Sequence, residues 1–237
     1  MPPNLPPSLP DASASSAAAT GAGENFGLQA PGDARNCRVL VLYAHPNPAV
    51  SRVTRKLADA ARLHDGVVLD DLYESYPDFY IDVARERALL SNAQALVLLF
   101  PTQWYAAPAL LKEWFDVVLH DAWQVDRVKP AAGGIRRQCW VVTSTGSALD
   151  DYTPGRRHGR PLLDYLAPLE QTARVCGMQW LDPLVLYSAH DVGSAAVDAH
   201  LARFQAALAV LTGNTDARAA SGDGIVRVPD SGAAHGN

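Results

Sequence analysis

Cysteine is scarce in this sequence and poorly placed for either metal or disulfide chemistry. Its three copies, Cys37, Cys139 and Cys176, are odd in number and far apart, with no CxxC or zinc-type spacing. The pattern argues against a disulfide framework and points to reduced structural thiols in a cytosol. Long apolar runs are missing as well. Nothing approaches the roughly 18 consecutive apolar residues of a membrane span, so an integral membrane protein is not expected. Basic residues are not in excess: 20 Lys and Arg against 25 Asp and Glu give a formal net charge of −5. No electropositive face for nucleic acid or anionic lipid follows from such a balance. The N-terminus lacks the basic and apolar regions of a signal peptide, and its Arg-poor, acid-containing makeup is unlike a transit peptide, so a soluble, cytoplasmic protein is expected. Three signatures are also absent. Without GxxxxGK[ST], GxGxxG or GxSxG there is no P-loop, no Rossmann fingerprint and no nucleophile elbow.

What is present is an alternation. The first 35 residues are Pro, Ala, Ser and Gly with almost no large apolar groups, and the stretch from 213 to 237 is similar apart from "GIVRV" at 224–228, a weak edge-strand candidate. Such segments cannot bury enough surface to offset their ordering entropy and are expected to be disordered. Between them, residues 36–212 are expected to form one domain. Buried-strand runs occur at 38–43 ("RVLVLY"), 67–73, 95–100 ("ALVLLF"), 138–145 and 180–187, the last interrupted by Pro183. Helical spacing fills 51–63, 85–93, 108–119, 162–176 and 194–211. Five strands alternating with helices predict an α/β fold with a five-stranded parallel sheet, and chain length favours the strand order 2-1-3-4-5.

In an open parallel sheet, ligands bind beyond the carboxyl ends of the strands near the switch in strand order, here after strands 1, 3 and 4. The first of these loops, "AHPNPAVSRVT", places Ser51 and Thr54 three apart at a helix N-terminus. Their hydroxyls can join free backbone N–H groups around an anion, or Ser51 can act as an ordinary N-cap. His45 follows the strand directly and can bond a ligand or the loop backbone. The second loop, "PTQWYAAP", carries Thr102, Gln103 and two adjacent aromatics, Trp104 and Tyr105. Those aromatics suit a lid, a subunit contact or a flat wall for a planar ring. The third loop offers Thr143, Ser144, Thr145 and Gly146, then Tyr152 and His158, a proton-handling pair near neutral pH.

Together "YAHPNPAVSRVT", "LYESYPDFYID", "PTQWYAAPALLKEWFDVVLHDAW" and "YTPGRRHG" resemble the flavodoxin-like NAD(P)H:quinone oxidoreductases. Within them they look most like the short FMN-type members, which include ancillary subunits of glutathione-gated potassium-efflux transporters. The resemblance spans about Arg38 to Leu211. It implies a flavodoxin-like three-layer fold, FMN as cofactor (with FAD left open), NADH or NADPH as hydride donor, and two-electron ping-pong transfer to a quinone. It further implies a homodimer, with Trp123 as a candidate contact. The alternative is a regulatory subunit of a potassium-efflux transporter, peripheral to the inner face of the cell membrane. By residue, the resemblance implies that His45, Ser51, Val53 and Thr54 hold the phosphate and ribityl chain. Thr102, Gln103, Trp104 and Tyr105 would flank the ring, Thr143 to Gly146 would meet its polar edge, and Tyr152 and His158 would stabilise charge on the reduced flavin. Thr145 stands where the family usually carries glycine, so a Cβ there is expected to crowd the ring.

Overall fold

The computed structural model describes residues 37–119 and 136–213. The expected tails, "GIVRV" and Trp123 lie outside the described residues.

Strand β1, Val39–Tyr43, is buried at every position, as expected of a strand covered on both faces. The other strands are β2 (Val67–Asp71), β3 (Ala95–Pro101), β4 (Gln138–Ser144), β5 (Gln179–Trp180) and β6 (Leu184–Leu186). All pair in parallel in the order β2-β1-β3-β4-β5, with β6 also beside β4. The expected order is therefore present, with one refinement. The fifth strand is two short pieces, because Pro183 has no N–H to give the ladder. At the break, Leu181 N donates to Cys139 O at 2.9 Å and Trp140 Nε1 to Asp182 O at 3.0 Å. These bonds keep both pieces on β4.

Alternate side chains of the strands feed two cores. Leu40, Leu42, Leu96, Leu98 and Phe100 pack toward helices α3 (Val83–Asn92), α4 (Ala109–Val118) and α5 (Leu162–Val175). Val39, Val41, Val97, Leu99, Trp140 and Val142 pack toward α1 (Thr54–Arg62) and α6 (Ser194–Leu211). Each fully buried large side chain contributes about 1.5–3 kcal/mol. On α4 the expected inward set, Leu110, Leu111, Trp114, Phe115 and Val118, is buried while Lys112, Glu113 and Asp116 are exposed. Trp140 stacks on Phe204 of α6, ring centroids 5.8 Å apart.

Two boundaries differ from the sequence reading. The apolar run at 67–73 is a strand only to Asp71, whose side chain accepts from Glu74 N at 3.3 Å and starts the single helical turn α2 (Leu72–Ser75). The helix after β1 begins at Thr54 rather than Ser51, because a 3₁₀ turn at Pro48–Val50 and the bend after it take up the loop. The three cysteines are free and buried, and burial pushes the Cys37 thiol up to about 11 and Cys139 up to about 12. Such thiols are unreactive. No helix among the described residues is long and apolar enough to cross a membrane.

Candidate functional site

The loop after β1 arrives at α1 without a capping side chain at its N-cap residue, Val53. Ser51 does not cap in that position, yet its Oγ accepts from Arg55 N at 3.0 Å and shares a 2.8 Å hydrogen bond with Thr54 Oγ1. The N–H groups of Val53 and Thr54 make no hydrogen bond among the described residues. A helix N-terminus left in this condition carries positive partial charge and free donors. His45 is buried, and burial lowers its pKa, so it is neutral near pH 7. Its Nδ1 accepts from Asn47 N at 3.1 Å, which puts the proton on Nε2. Behind this pair lies Tyr43, whose buried hydroxyl sits near Ser51 and Thr54 and has no well-formed hydrogen bond.

The loop after β3 is a two-residue reverse turn. Gln103 and Ala106 exchange backbone hydrogen bonds of 3.2 and 3.1 Å, leaving Trp104 and Tyr105 at its tip. Their φ angles are +49° and +65°, the left-handed region that turns of this kind normally fill with Asn and Gly. Two aromatics there cost about 1–3 kcal/mol each, a form of strain that clusters at ligand sites. Trp104 is 93% exposed and Tyr105 44%, so neither is held in place by a core. Their N–H groups also have no partner among the described residues.

Beyond β4, Thr102 Oγ1 and Thr143 Oγ1 share a 2.8 Å hydrogen bond, and Thr102 N donates to Ser144 O at 2.9 Å. These bonds lock the second loop to the third. Thr145, in the place where glycine was expected, turns its hydroxyl inward to Tyr152 Oη at 2.7 Å. Tyr152 is buried and stacks on His158, ring centroids 4.3 Å apart. His158 in turn reaches Ser147 Oγ through Nε2 at 2.8 Å and Tyr105 Oη through Nδ1 at 3.2 Å. Tyr165 packs against Tyr105 at 4.8 Å and donates to His158 O at 2.8 Å.

A cleft of about 120 Å³ runs between these loops, and nine of the expected residues bound it: His45, Ser51, Val53, Thr54, Thr102, Gln103, Ser144, Thr145 and Gly146. Trp104 adjoins Gln103 in chain, while Tyr105 and His158 touch each other beside the same turn. Trp104, Tyr105, Thr143, Tyr152 and His158 do not line the cleft; Thr143 and Tyr152 support it through Thr102 and Thr145. Sequence reading missed Arg52 and His190, which do line it. Arg52 lies inside the first loop and was legible there as a cation. His190 comes from the loop after β6, which the rule of strands 1, 3 and 4 leaves out. Tyr165 and Ser147 carried no signal beyond their neighbours.

The flavodoxin-like fold family model (Flavodoxin_2) matches residues 37–209. The glutathione-regulated potassium-efflux system ancillary protein KefF of Enterobacter sp. (strain 638) is 39% identical over 149 residues, covering 63% of this chain and 82% of that protein. Among solved structures, general stress protein 14 of Treponema denticola, in complex with FMN, is 30% identical with a TM-score of 0.64, covering 73% of this chain and 99% of that one. An NADPH-quinone reductase of P. pentosaceus is 25% identical with a TM-score of 0.60, covering 71% and 95%. A thermophilic tryptophan halogenase structure from Streptomycin violaceusniger is 32% identical with a TM-score of 0.63, covering 70% and 95%. One fold hosting several named activities is ordinary. By the match to the family model over nearly all of its described residues, this chain belongs to the flavodoxin-like fold family.

Proposed function

We propose that this chain is a flavin-dependent NAD(P)H:quinone oxidoreductase that holds its flavin as FMN. The observation that carries the reading is the meeting, at one sheet edge, of two unlike features. One is an uncapped helix N-terminus with paired Ser51 and Thr54 hydroxyls; the other is a strained turn presenting Trp104 and Tyr105. The first suits a phosphate and the second a planar ring. The buried Tyr43 hydroxyl without a well-formed partner behind the hydroxyl pair supports the same fit, since a phosphate brings acceptors to that neighbourhood. Relatives named as an FMN complex and as an NADPH-quinone reductase support the cofactor and the reaction.

Bound flavin supplies two-electron chemistry, taking a hydride equivalent from a nicotinamide and passing both electrons to a quinone. The protein's part is to bind, orient and stabilise charge. Ser51, Thr54 and the free N–H groups of α1 hold the phosphate, with His45 Nε2–H as a further donor. The Trp104–Tyr105 turn would flank the ring. His158, held by Ser147 and Tyr105, would stand at the rim as the group that stabilises charge on a reduced flavin. Tyr152 holds the His158 ring in register by stacking. The exposed Trp104 suits a homodimer whose second subunit covers the open side. Sedimentation equilibrium at micromolar concentration tests this, and a monomer overturns it.

The visible spectrum of the purified full-length protein tests the reading as a whole. Oxidised-flavin absorption, bleached by NADH or NADPH and restored by benzoquinone, is expected. A colourless protein that takes up no added flavin overturns it. The 39% identity to KefF favours a second, compatible role as an ancillary subunit of a potassium-efflux transporter. Co-purification with such a transporter tests that role, and its failure leaves the reductase reading in place.

A further inference from the structure

Tyr43 is the last residue of β1, and its ring packs in the core beneath α1, 2% exposed. Its hydroxyl is buried too, yet makes no well-formed hydrogen bond. Burial raises its pKa, and the hydroxyls of Ser51 and Thr54 offset part of that rise, so the three oxygens are neighbours. A buried hydroxyl left unpaired lowers stability, and it calls for a functional role or a bound group that completes the bonding. Ser51 and Thr54 line the cleft, while Tyr43 lies behind them. The helix they begin, α1, is nine residues long and has no capping side chain at its N-cap.

A count of protons shows what an anion changes here. Each hydroxyl has one proton to give. One of those of Ser51 and Thr54 is committed to their mutual 2.8 Å bond, and Ser51 Oγ also accepts from Arg55 N at 3.0 Å. A phosphate in the cleft offers only acceptors at its charged oxygens and draws both protons toward itself. The mutual bond then ends, and the lone pair it occupied becomes available to Tyr43 O–H. The three hydroxyls thus go from one hydrogen bond among themselves to three with the anion in place. We propose that Tyr43 is a positioning residue of the anion site, whose O–H holds the Ser51 and Thr54 hydroxyls turned toward a phosphate. The inference rests on the flavin reading above and deepens it with a residue that does not touch the ligand.

A merely structural Tyr43 makes a different forecast. Loss of a hydroxyl already bonded in the fold would destabilise the flavin-free chain, and loss of packing would weaken every flavin alike. Tyr43→Phe keeps the ring, removes one oxygen and changes no charge. The test applies urea unfolding to the full chain stripped of flavin, and fluorescence titration with FMN and with riboflavin, which has the same ring and ribityl chain without the phosphate. In Tyr43→Phe the flavin-free urea midpoint is expected to stay or rise, FMN to bind about tenfold more weakly, and riboflavin to bind as before. Unchanged FMN binding, or FMN and riboflavin weakened alike, overturns the inference and leaves the flavin reading in place. A lowered flavin-free midpoint does the same, since the hydroxyl would then be bonded without an anion. A wild type that binds neither flavin overturns the proposed function with it.

Discussion

The hydroxyl of Tyr152 is hydrogen-bonded to the hydroxyl of Thr145 at 2.7 Å, and both side chains are buried. The phenol therefore faces the backbone of the third loop, and the imidazole stacked on it faces the rim. The inward turn of the Thr145 side chain spends its hydroxyl on Tyr152.

From that arrangement the two members of the pair should separate in experiment. Tyr152→Phe removes one neutral hydrogen bond and is expected to cost about 1 kcal/mol of stability. It keeps the stacked ring and should leave flavin reduction nearly as fast. His158→Gln is expected to slow flavin reduction by NAD(P)H about tenfold or more, with flavin still bound. Stopped-flow absorbance reads both. Unchanged reduction in His158→Gln would remove that residue from the mechanism.

Trp104 sits in the left-handed region at φ +49° and is 93% exposed. Glycine relieves such a conformation, at some cost in unfolded-state entropy. Trp104→Gly is therefore expected to leave stability unchanged or raise it by up to about 1 kcal/mol, while weakening flavin binding. Urea unfolding of the flavin-free protein, set beside fluorescence titration, separates the effects. A clear loss of stability would show that the indole is packed rather than displayed.

Glu86 is wholly buried beneath α4, with Tyr76 Oη at 2.5 Å, Trp114 Nε1 at 2.9 Å and Arg85 against it. Burial, and then the nearby Asp70 carboxylate, push its pKa up to about 7, while hydrogen bonds and charge from Arg85 hold Asp70 below its usual range. A raised acid binds its proton more tightly in the fold than in the unfolded chain. Its stabilising contribution is complete below the usual 4.5 and is lost as pH rises through about 7. Glu86→Gln keeps the shape without the titration. Between about pH 5.5 and 8 the wild type is expected to lose on the order of 1–3 kcal/mol more than the variant in urea unfolding. Parallel pH profiles would refute this.

His200, on α6, has the opposite sign. It is 3% exposed, and burial followed by the charge of Arg203 lowers its pKa to about 4. The unfolded chain binds a proton here before the fold does, so stability falls as pH drops from about 6.5 toward 4. Near pH 5 this group is expected to cost the wild type about 2 kcal/mol relative to neutral pH. His200→Leu should remove that loss, as urea midpoints at the two pH values will show. An equally acid-sensitive variant would place the charge burden elsewhere.

Much of the fold was legible because its signals are local. "VLVLY" and "ALVLLF" are apolar at every position, the pattern a strand covered on both faces needs. The Leu110–Val118 spacing marks one helix face, and Pro108 marks its start. Boundaries were less legible where a single residue decides between two local options. Asp71 ends a strand by capping a turn, and the 3₁₀ turn at Pro48–Val50 moves a helix start by three residues. The loops of the site were also readable, since the ends of strands 1, 3 and 4 converge once the strand order is known.

The sequence by itself determined the α/β alternation and marked nine residues of the cleft, because buried runs, helical spacing and strand-end position depend only on near neighbours in the chain, while chain length only favoured the strand order. Tertiary structure alone decided how those residues are used. The left-handed φ angles of Trp104 and Tyr105, the inward turn of Thr145 and the reach of Arg52 across two strands to His190 each depend on groups brought together from separate parts of the chain. No periodicity encodes such contacts. They exist because a parallel sheet delivers the ends of distant segments to one edge, where their side chains must satisfy one another.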